Sequence, residues 1–331
     1  MIVTQALGRN YGATVALEAL DLSVARGRFF GVLGPNGAGK STLIQILCGV
    51  LAPSRGRASI GGHDVVTDSL AARREVGSVP QELALHDELT PRQNLQFFGR
   101  LYGLRAAELA AAVARALALS DLAARAGDQV QSMSGGMKRR LNIAMATLHA
   151  PAVLVCDEPT VGVDPQSRAH IFDCLRAMNA AGTTVLYTTH YMEEVEALCA
   201  EVAIIDHGRL VCAGSLSELL AAHAPAGLAL VVQGDAARAL AALARFGGAR
   251  LAAPVSGMAA AAAGTSSTNP APASAAETGG SRLVLQAAPP LAALASALAE
   301  AGTPLLAAAP LASNLEQVFL KLTGRALRDS A

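Results

Sequence analysis

Lysine is scarce in this chain: its 331 residues hold three, Lys40, Lys138 and Lys321, against twenty-three arginines. A lysine at the one place where a motif requires it is therefore not background. Net charge is also lacking, with 26 basic and 26 acidic side chains, which argues against the broad electrostatic footprint of a nucleic-acid partner. Cysteine pairs are absent as a pattern. Cys48, Cys156, Cys174, Cys199 and Cys212 are odd in number and contain no CxxC, so they read as reduced thiols of a cytosolic protein rather than a disulfide framework or a zinc site. Long apolar runs are missing too, although 52% of the residues are hydrophobic. Much of that is alanine, and no window offers the twenty or so strongly apolar residues of a membrane span. The uncharged stretch from Leu251 to Ala276 is full of Ala, Gly, Ser, Thr and Pro, and that from Leu283 to Ala299 is interrupted by Gln286, Pro289, Pro290 and Ser296. With no basic and apolar leader at Met1, the chain is expected to be soluble by itself, any membrane role coming through a partner.

What the chain does contain is GPNGAGKST, from Gly34 to Thr42, which satisfies the spacing of a phosphate-binding loop residue for residue. Gly34, Gly37 and Gly39, with Pro35, Asn36 and Ala38 between them, let the backbone turn its N–H groups toward phosphates. Lys40 reaches the β and γ phosphates, the Ser41 hydroxyl suits Mg²⁺, and Thr42 continues into a helix whose positive end faces the same anion. The flanks have the required order. Gly27 to Leu33 is a strand-type apolar run, and Leu43 to Val50 has helical apolar spacing. A nucleotide triphosphate is the ligand this loop predicts.

Around the loop the chain reads as alternating strand and helix. Ile2 to Ala6 and Leu20 to Val24 are strand-like patches separated by the turn-prone Asn10, Tyr11 and Gly12, and Ala58 to Gly62 and Val76 to Val79 suggest further strands. Thr90 followed by Pro91 starts a helix that stops at Gly103, and alanine-rich helix resumes from Ala106 to Leu119. Ala152 to Cys156 and Thr184 to Thr188 read as buried parallel strands, and Val202 to Ile205 with Arg209 to Cys212 as a hairpin about His207 and Gly208. Past Leu220 the sequence carries little chemistry. Ser256 to Ser281 reads as a flexible insertion, Leu283 to Leu285 as a possible strand, and Ala292 to Ala301 and Leu315 to Leu322 as helices.

Two further elements share the chemistry of the loop. The apolar strand of VLVCDEPT ends in Asp157 and Glu158, and two adjacent carboxylates can divide the labour: Asp157 holding Mg²⁺ through water, Glu158 orienting or deprotonating an attacking water. In SMSGGMKRR, Ser134, Gly135 and Gly136 open an amphipathic helix 23 residues before Asp157, a second place where bare N–H groups can receive an anion. Taken alone, that serine is an ordinary helix cap.

Phosphate loop, SGG, strand-DE and then His190, in this order, resemble the ATPase subunits of ABC transporters over roughly residues 1–220. The resemblance implies an α/β P-loop NTPase of ABC type, with a parallel core sheet, an antiparallel β subdomain and an inserted helical subdomain at about 90–150. Residues 221–331 would form a small C-terminal α+β accessory domain, interrupted at about 256–281 by the insertion. It also implies a head-to-tail pair of identical subunits enclosing two ATP molecules with Mg²⁺, so that Ser134, Gly135 and Gly136 meet the phosphate held by the other copy's Lys40. Tyr11 would stack on adenine. Gln81 would touch Mg²⁺ or water and sense a membrane permease, Asp164 would cross the dimer interface, and His190 would hydrogen-bond the γ-phosphate. The permease groove would lie near Gln81 to Thr90; Phe97, Phe98 and Tyr102 could line it, although helical aromatics more often fill a core.

One departure stands at Met137, where many family members have glutamine. SGGMKRR is similar to exporters of the daunorubicin-resistance and Nod-factor type, as are EPTVGVDPQSR at Glu158 to Arg168, THYMEEVEALC at Thr189 to Cys199 and LEQVFLKLTGRALRD at Leu315 to Asp329. The implied function is ATP-driven export of a drug, antibiotic, lipid or polysaccharide through a separate permease, with this subunit on the cytoplasmic face of the membrane. An importer ATPase, or a soluble ATPase acting on ribosomes or DNA, is the alternative reading.

Overall fold

The computed structural model describes residues 1–223, 227–246, 249–251, 280–285, 289–311 and 314–324. It divides into two compact units, Met1–Leu219 with Leu315–Ala331, and Leu220–Asn314. In chain order the first unit begins with β1 (Ile2–Tyr11), β2 (Thr14–Val24), β3 (Phe29–Leu33), α1 (Lys40–Leu47), β4 (Arg55–Ile60), β5 (His63–Asp64), α2 (Ser69–Arg74) and β6 (Val76–Val79). Helices α3 (Pro91–Leu101), α4 (Ala106–Leu119) and α5 (Gly135–Ala146) follow, then β7 (Val153–Asp157), α6 (Pro165–Ala180), β8 (Thr184–Thr189) and α7 (Met192–Leu198). The hairpin β9 (Glu201–Asp206) and β10 (Arg209–Ser215) leads into α8 (Leu216–His223).

Three layers of this unit follow from the sequence pattern. Strands β3, β7 and β8 are buried at every residue, as continuous apolar runs covered on both faces must be. They form the centre of a six-stranded sheet ordered β10-β9-β3-β8-β7-β6, parallel throughout except for β10. Strands β1 and β2 instead mix buried and exposed residues, the second half of β2 in alternation, and pair antiparallel in a second sheet ordered β2-β1-β4-β5. Both are longer than their apolar patches indicate, because the hairpin keeps its ladder up to the pair Tyr11 and Thr14. The helices α3, α4 and α5 enclose their own apolar cluster, with Leu95, Val113, Leu117, Leu141 and Met145 among its buried members.

Helix α3 has the start its sequence predicts. Thr90 Oγ1 accepts the Gln93 N–H at 3.2 Å, and Gln93 Oε1 accepts the Thr90 N–H at 2.9 Å, a reciprocal capping box with Pro91 in the first turn. Thr90→Ala removes one half of it and should cost about 1 kcal/mol, lowering the melting temperature by roughly 2–4 °C in a thermal scan.

Among the described residues the second unit comprises β11 (Leu228–Gln233), α9 (Ala236–Leu243), β12 (Ala249–Leu251), β13 (Gly280–Leu285), α10 (Leu291–Glu300) and β14 (Leu305–Pro310). Its antiparallel sheet is ordered β12-β13-β11-β14, which with this β-α-β-β-α-β succession is a ferredoxin-like arrangement. Ala239 and Leu243 of α9 and Leu294 and Leu298 of α10 pack on Leu230, Val232, Leu283 and Leu285 of the sheet. The insertion expected at 256–281 falls almost wholly on residues 252–279, outside the described residues. The closing helix α11 (Leu315–Thr323) groups with the first unit rather than with the segment before it, the Leu315 N–H being donated to Glu196 Oε1 at 2.7 Å. All five cysteines are free thiols, and among the described residues no helix is long and apolar enough to cross a membrane.

Candidate functional site

Four neighbouring parallel strands, β3, β8, β7 and β6, end on one side of the sheet, and each is followed by a residue singled out from the sequence. The loop from Gly34 to Gly39 leaves β3, His190 follows β8, Asp157 and Glu158 close β7, and Gln81 lies two residues past β6. Ligands of open α/β sheets bind at these carboxyl ends. A cleft of about 400 Å³ opens there, lined by the loop from Asn36 to Thr42 together with Gln81, Glu158 and His190.

Gly39 caps α1 at φ 104°, a left-handed backbone that an L side chain rarely adopts, and a Cβ there would also press on the Ala16 carbonyl. Lys40, the first residue of α1, is buried, and its ammonium donates to the carbonyls of Gly34 at 2.7 Å and Pro35 at 3.1 Å. It also pairs with Glu158 Oε1 at 3.1 Å, while Glu158 Oε2 meets His190 Nδ1 at 3.1 Å. Lys40, Glu158 and His190 thus form a row in which one buried carboxylate is shared by a cation and an imidazole. An ionised carboxylate can only accept, so Nδ1 carries the hydrogen of that bond and Nε2 is left to meet another partner.

Glu158 itself stands at φ 44°, uncommon for a residue other than glycine. Thr188 of the neighbouring strand supports the turn: its carbonyl and its Oγ1 accept the Glu158 N–H at 3.2 and 3.1 Å, and its Oγ1 donates to Asp157 Oδ1 at 2.8 Å. Ser41, Asp157 and Gln81 offer a hydroxyl, a carboxylate and an amide, the oxygen donors that suit Mg²⁺.

The second anion element lies outside the cleft lining. Ser134 is the N-cap of α5 and its Oγ accepts the Met137 N–H at 3.3 Å, so the helix-cap role holds at the same place where Gly135 and Gly136 start the helix. Gly136 must be glycine for a packing reason, since a Cβ there would run into the Ser167 hydroxyl. Asp164, close beside Gly136, caps α6 by accepting the Ser167 N–H at 2.9 Å, and hydrogen bonding from the Ser167 hydroxyl, then from its N–H, holds the carboxyl below the usual range. Tyr11 stands at the end of β1, 45% exposed with the Arg9 guanidinium 4.9 Å above its ring, and is not part of the cleft lining.

Helix α5 also grips the segment carrying Gln81. Arg139, buried, donates from Nη1 to the Pro80 carbonyl at 2.9 Å and from Nη2 to the Gln81 carbonyl at 2.6 Å. Lys138 pairs with Asp87 at 2.8 Å, and Asn142 Oδ1 accepts the Ala84 N–H at 3.3 Å. The aromatics beyond this segment are more exposed than a core role requires. Phe97 is 41% and Tyr102 44% exposed, His86 meets the Phe97 ring edge-on at 4.9 Å, and Phe98 alone packs on the helical core.

Sequence reasoning missed Arg139, Thr160, Thr188 and Glu194. Their only signal is position, directly beside the motifs, because a buried polar residue is recognised by its partners and these come from other elements of the fold. Glu194 stands in the first turn of α7, where an acid is ordinarily exposed, yet it is buried.

A family profile described as ABC transporter matches residues 17–161. The daunorubicin resistance ATP-binding protein DrrA3 of Streptomyces coeruleorubidus is 46% identical, over 64% of this chain and 67% of that protein. The Nod factor export ATP-binding protein I of Ralstonia nicotianae is 37% identical, over 99% of this chain and 95% of its own length. Among solved structures, an ATP-binding subunit of an ABC transporter is 30% identical with a TM-score of 0.61, covering 67% of this chain and 92% of that one.

Proposed function

From the premise that the chain belongs to the family of ABC transporter ATP-binding proteins, we propose that it is the ATP-hydrolysing subunit of an exporter, pairing with a second copy of itself and driving a separate membrane permease. Hydrolysis would run in the cleft at the strand ends. Gly34 to Thr42 cradle the phosphates, and Lys40 exchanges its two carbonyl partners for phosphate oxygens. Glu158 orients and deprotonates the attacking water, and His190 meets the γ-phosphate through Nε2. Ser41, Asp157 and Gln81 would hold Mg²⁺, which supplies neutralisation of phosphate charge. Tyr11 would stack on the base, while Ser134, Gly135, Gly136 and Asp164 would face the nucleotide of the other copy.

The observation that carries this reading is the row Lys40, Glu158, His190 within one cleft, each partner about 3 Å from the next. Export rather than import is favoured by the relatives, whose names describe resistance and export, and the cargo would be a drug, antibiotic, lipid or polysaccharide. The ferredoxin-like unit would be an accessory domain, and the subunit would sit on the cytoplasmic face of the membrane through its permease, without nucleic acid. The permease surface would include the exposed Glu88 and Phe97. Glu88→Lys should leave the isolated subunit's ATPase within about twofold of wild type and abolish its stimulation by reconstituted permease. Undiminished stimulation would place the contact elsewhere.

A further inference from the structure

We propose that Glu194, a residue to which no motif assigns a role, is a positioning residue that sets the Glu158–His190 pair; the inference rests on the reading of those two residues as the hydrolytic machinery. The Glu194 side chain is 2% exposed, and its carboxylate accepts from three hydroxyls and pairs with a guanidinium. Thr160 Oγ1 donates to Oε1 at 2.7 Å, Thr189 Oγ1 to Oε2 at 2.7 Å, and Tyr187 Oη to Oε2 at 2.9 Å. The Arg168 guanidinium approaches Oε1, with Nε at 3.5 Å. A buried carboxylate without such partners would be strongly destabilising; with them it is a junction of high local rigidity. Burial and the Glu194 carboxylate together push the Tyr187 phenol well above its ordinary range, keeping it a hydroxyl donor.

The donors come from chain segments that matter. Thr160 lies two residues after Glu158, and Thr189 immediately precedes His190. Thr189 Oγ1 also accepts the Tyr191 N–H at 3.0 Å, so both sides of His190 are tied to the same carboxylate. Arg168 belongs to α6, whose cap is Asp164, and lies 5.5 Å from the Tyr191 ring. One side chain thus joins the turn after β7, the turn after β8 and the helix at the expected dimer face. The turn at Glu158 also needs such support. A non-glycine residue at φ 44° persists only where its surroundings over-determine it, and Thr188 constrains it from the strand side while Glu194 constrains it from beyond Thr160.

Glu194→Gln keeps the shape of the side chain but replaces one acceptor oxygen by a donor among donors. In the full-length protein it should lower kcat about tenfold while KM for ATP stays within about twofold, because orientation at the reacting centre is lost and ground-state binding is not. In a Glu158→Gln background the same change should cost nothing further in single-turnover hydrolysis, since it acts through the Glu158–His190 pair, which that substitution has already broken. A wild-type kcat, or losses that multiply in the double variant, would overturn the inference. Should Glu194→Gln fail to fold, Thr189→Val decides: a lower kcat at unchanged KM supports the role, and a wild-type kcat overturns it. Glu158→Gln measured in parallel separates the two readings. Wild-type turnover there removes the machinery itself, whereas a dead Glu158→Gln beside a fully active Glu194→Gln removes the positioning role alone.

Discussion

Glu158→Gln is expected to reduce ATP turnover by a hundredfold or more, on the order seen when a general base is removed, with ATP affinity equal to or slightly better than wild type. The amide keeps the volume of the carboxylate, but it offers one acceptor oxygen where Lys40 and His190 now use two, and it cannot take a proton from water. Binding should survive because the loop is untouched and Lys40 can still exchange the Gly34 and Pro35 carbonyls for phosphate oxygens, while the lost negative charge no longer opposes an anionic ligand. Phosphate release gives kcat, and a fluorescent ATP analogue gives the affinity. Normal turnover in this variant would show that Glu158 is not the base and that the row from Lys40 to His190 has another purpose.

Ser134→Arg is expected to abolish steady-state hydrolysis almost as completely, though for a different reason. Ser134 is outside the cleft, so the change should leave nucleotide binding by the isolated subunit within about threefold. What it disturbs is the start of α5. The serine hydroxyl that caps Met137 is lost, and a long cationic side chain enters a place where a neighbouring copy's phosphate would approach bare N–H groups. Loss of the cap alone costs about 1 kcal/mol, too little to unfold the helical layer. Loss of turnover with retained binding therefore separates the contact between copies from simple damage to the fold. A variant with normal turnover would leave Ser134 as a helix cap and nothing more.

Much of this was legible in the sequence because the chemistry depends on local runs. The phosphate loop, the acidic pair and His190 each sit at the end of a strand whose apolar run identifies it, and parallel strands bring those ends together. The start of α3 at Thr90 was equally plain, since an N-cap threonine followed by proline is written in two consecutive residues, and the structure adds the reciprocal bond from Gln93. The ferredoxin-like unit was barely legible. Strand β14 is Leu-Leu-Ala-Ala-Ala-Pro, and alanine favours helix in isolation, so only pairing with β11 makes it a strand. The Glu194 junction was hidden for a related reason: its three hydroxyl donors lie 5, 7 and 34 residues away, and no periodicity marks them. Phe97 and Tyr102 show a third kind of failure, since exposure of an aromatic on a helix depends on what covers that face.

The central claim is that one chain holds only half of each hydrolytic site. The most direct test is sedimentation of Glu158→Gln with and without ATP and Mg²⁺, beside the same protein carrying Ser134→Arg. The account predicts a dimer for Glu158→Gln that forms with nucleotide and is lost without it, and a monomer under both conditions once Ser134 is arginine. An ATP-dependent dimer that persists with Ser134→Arg, or a monomer of Glu158→Gln at saturating ATP, would contradict it.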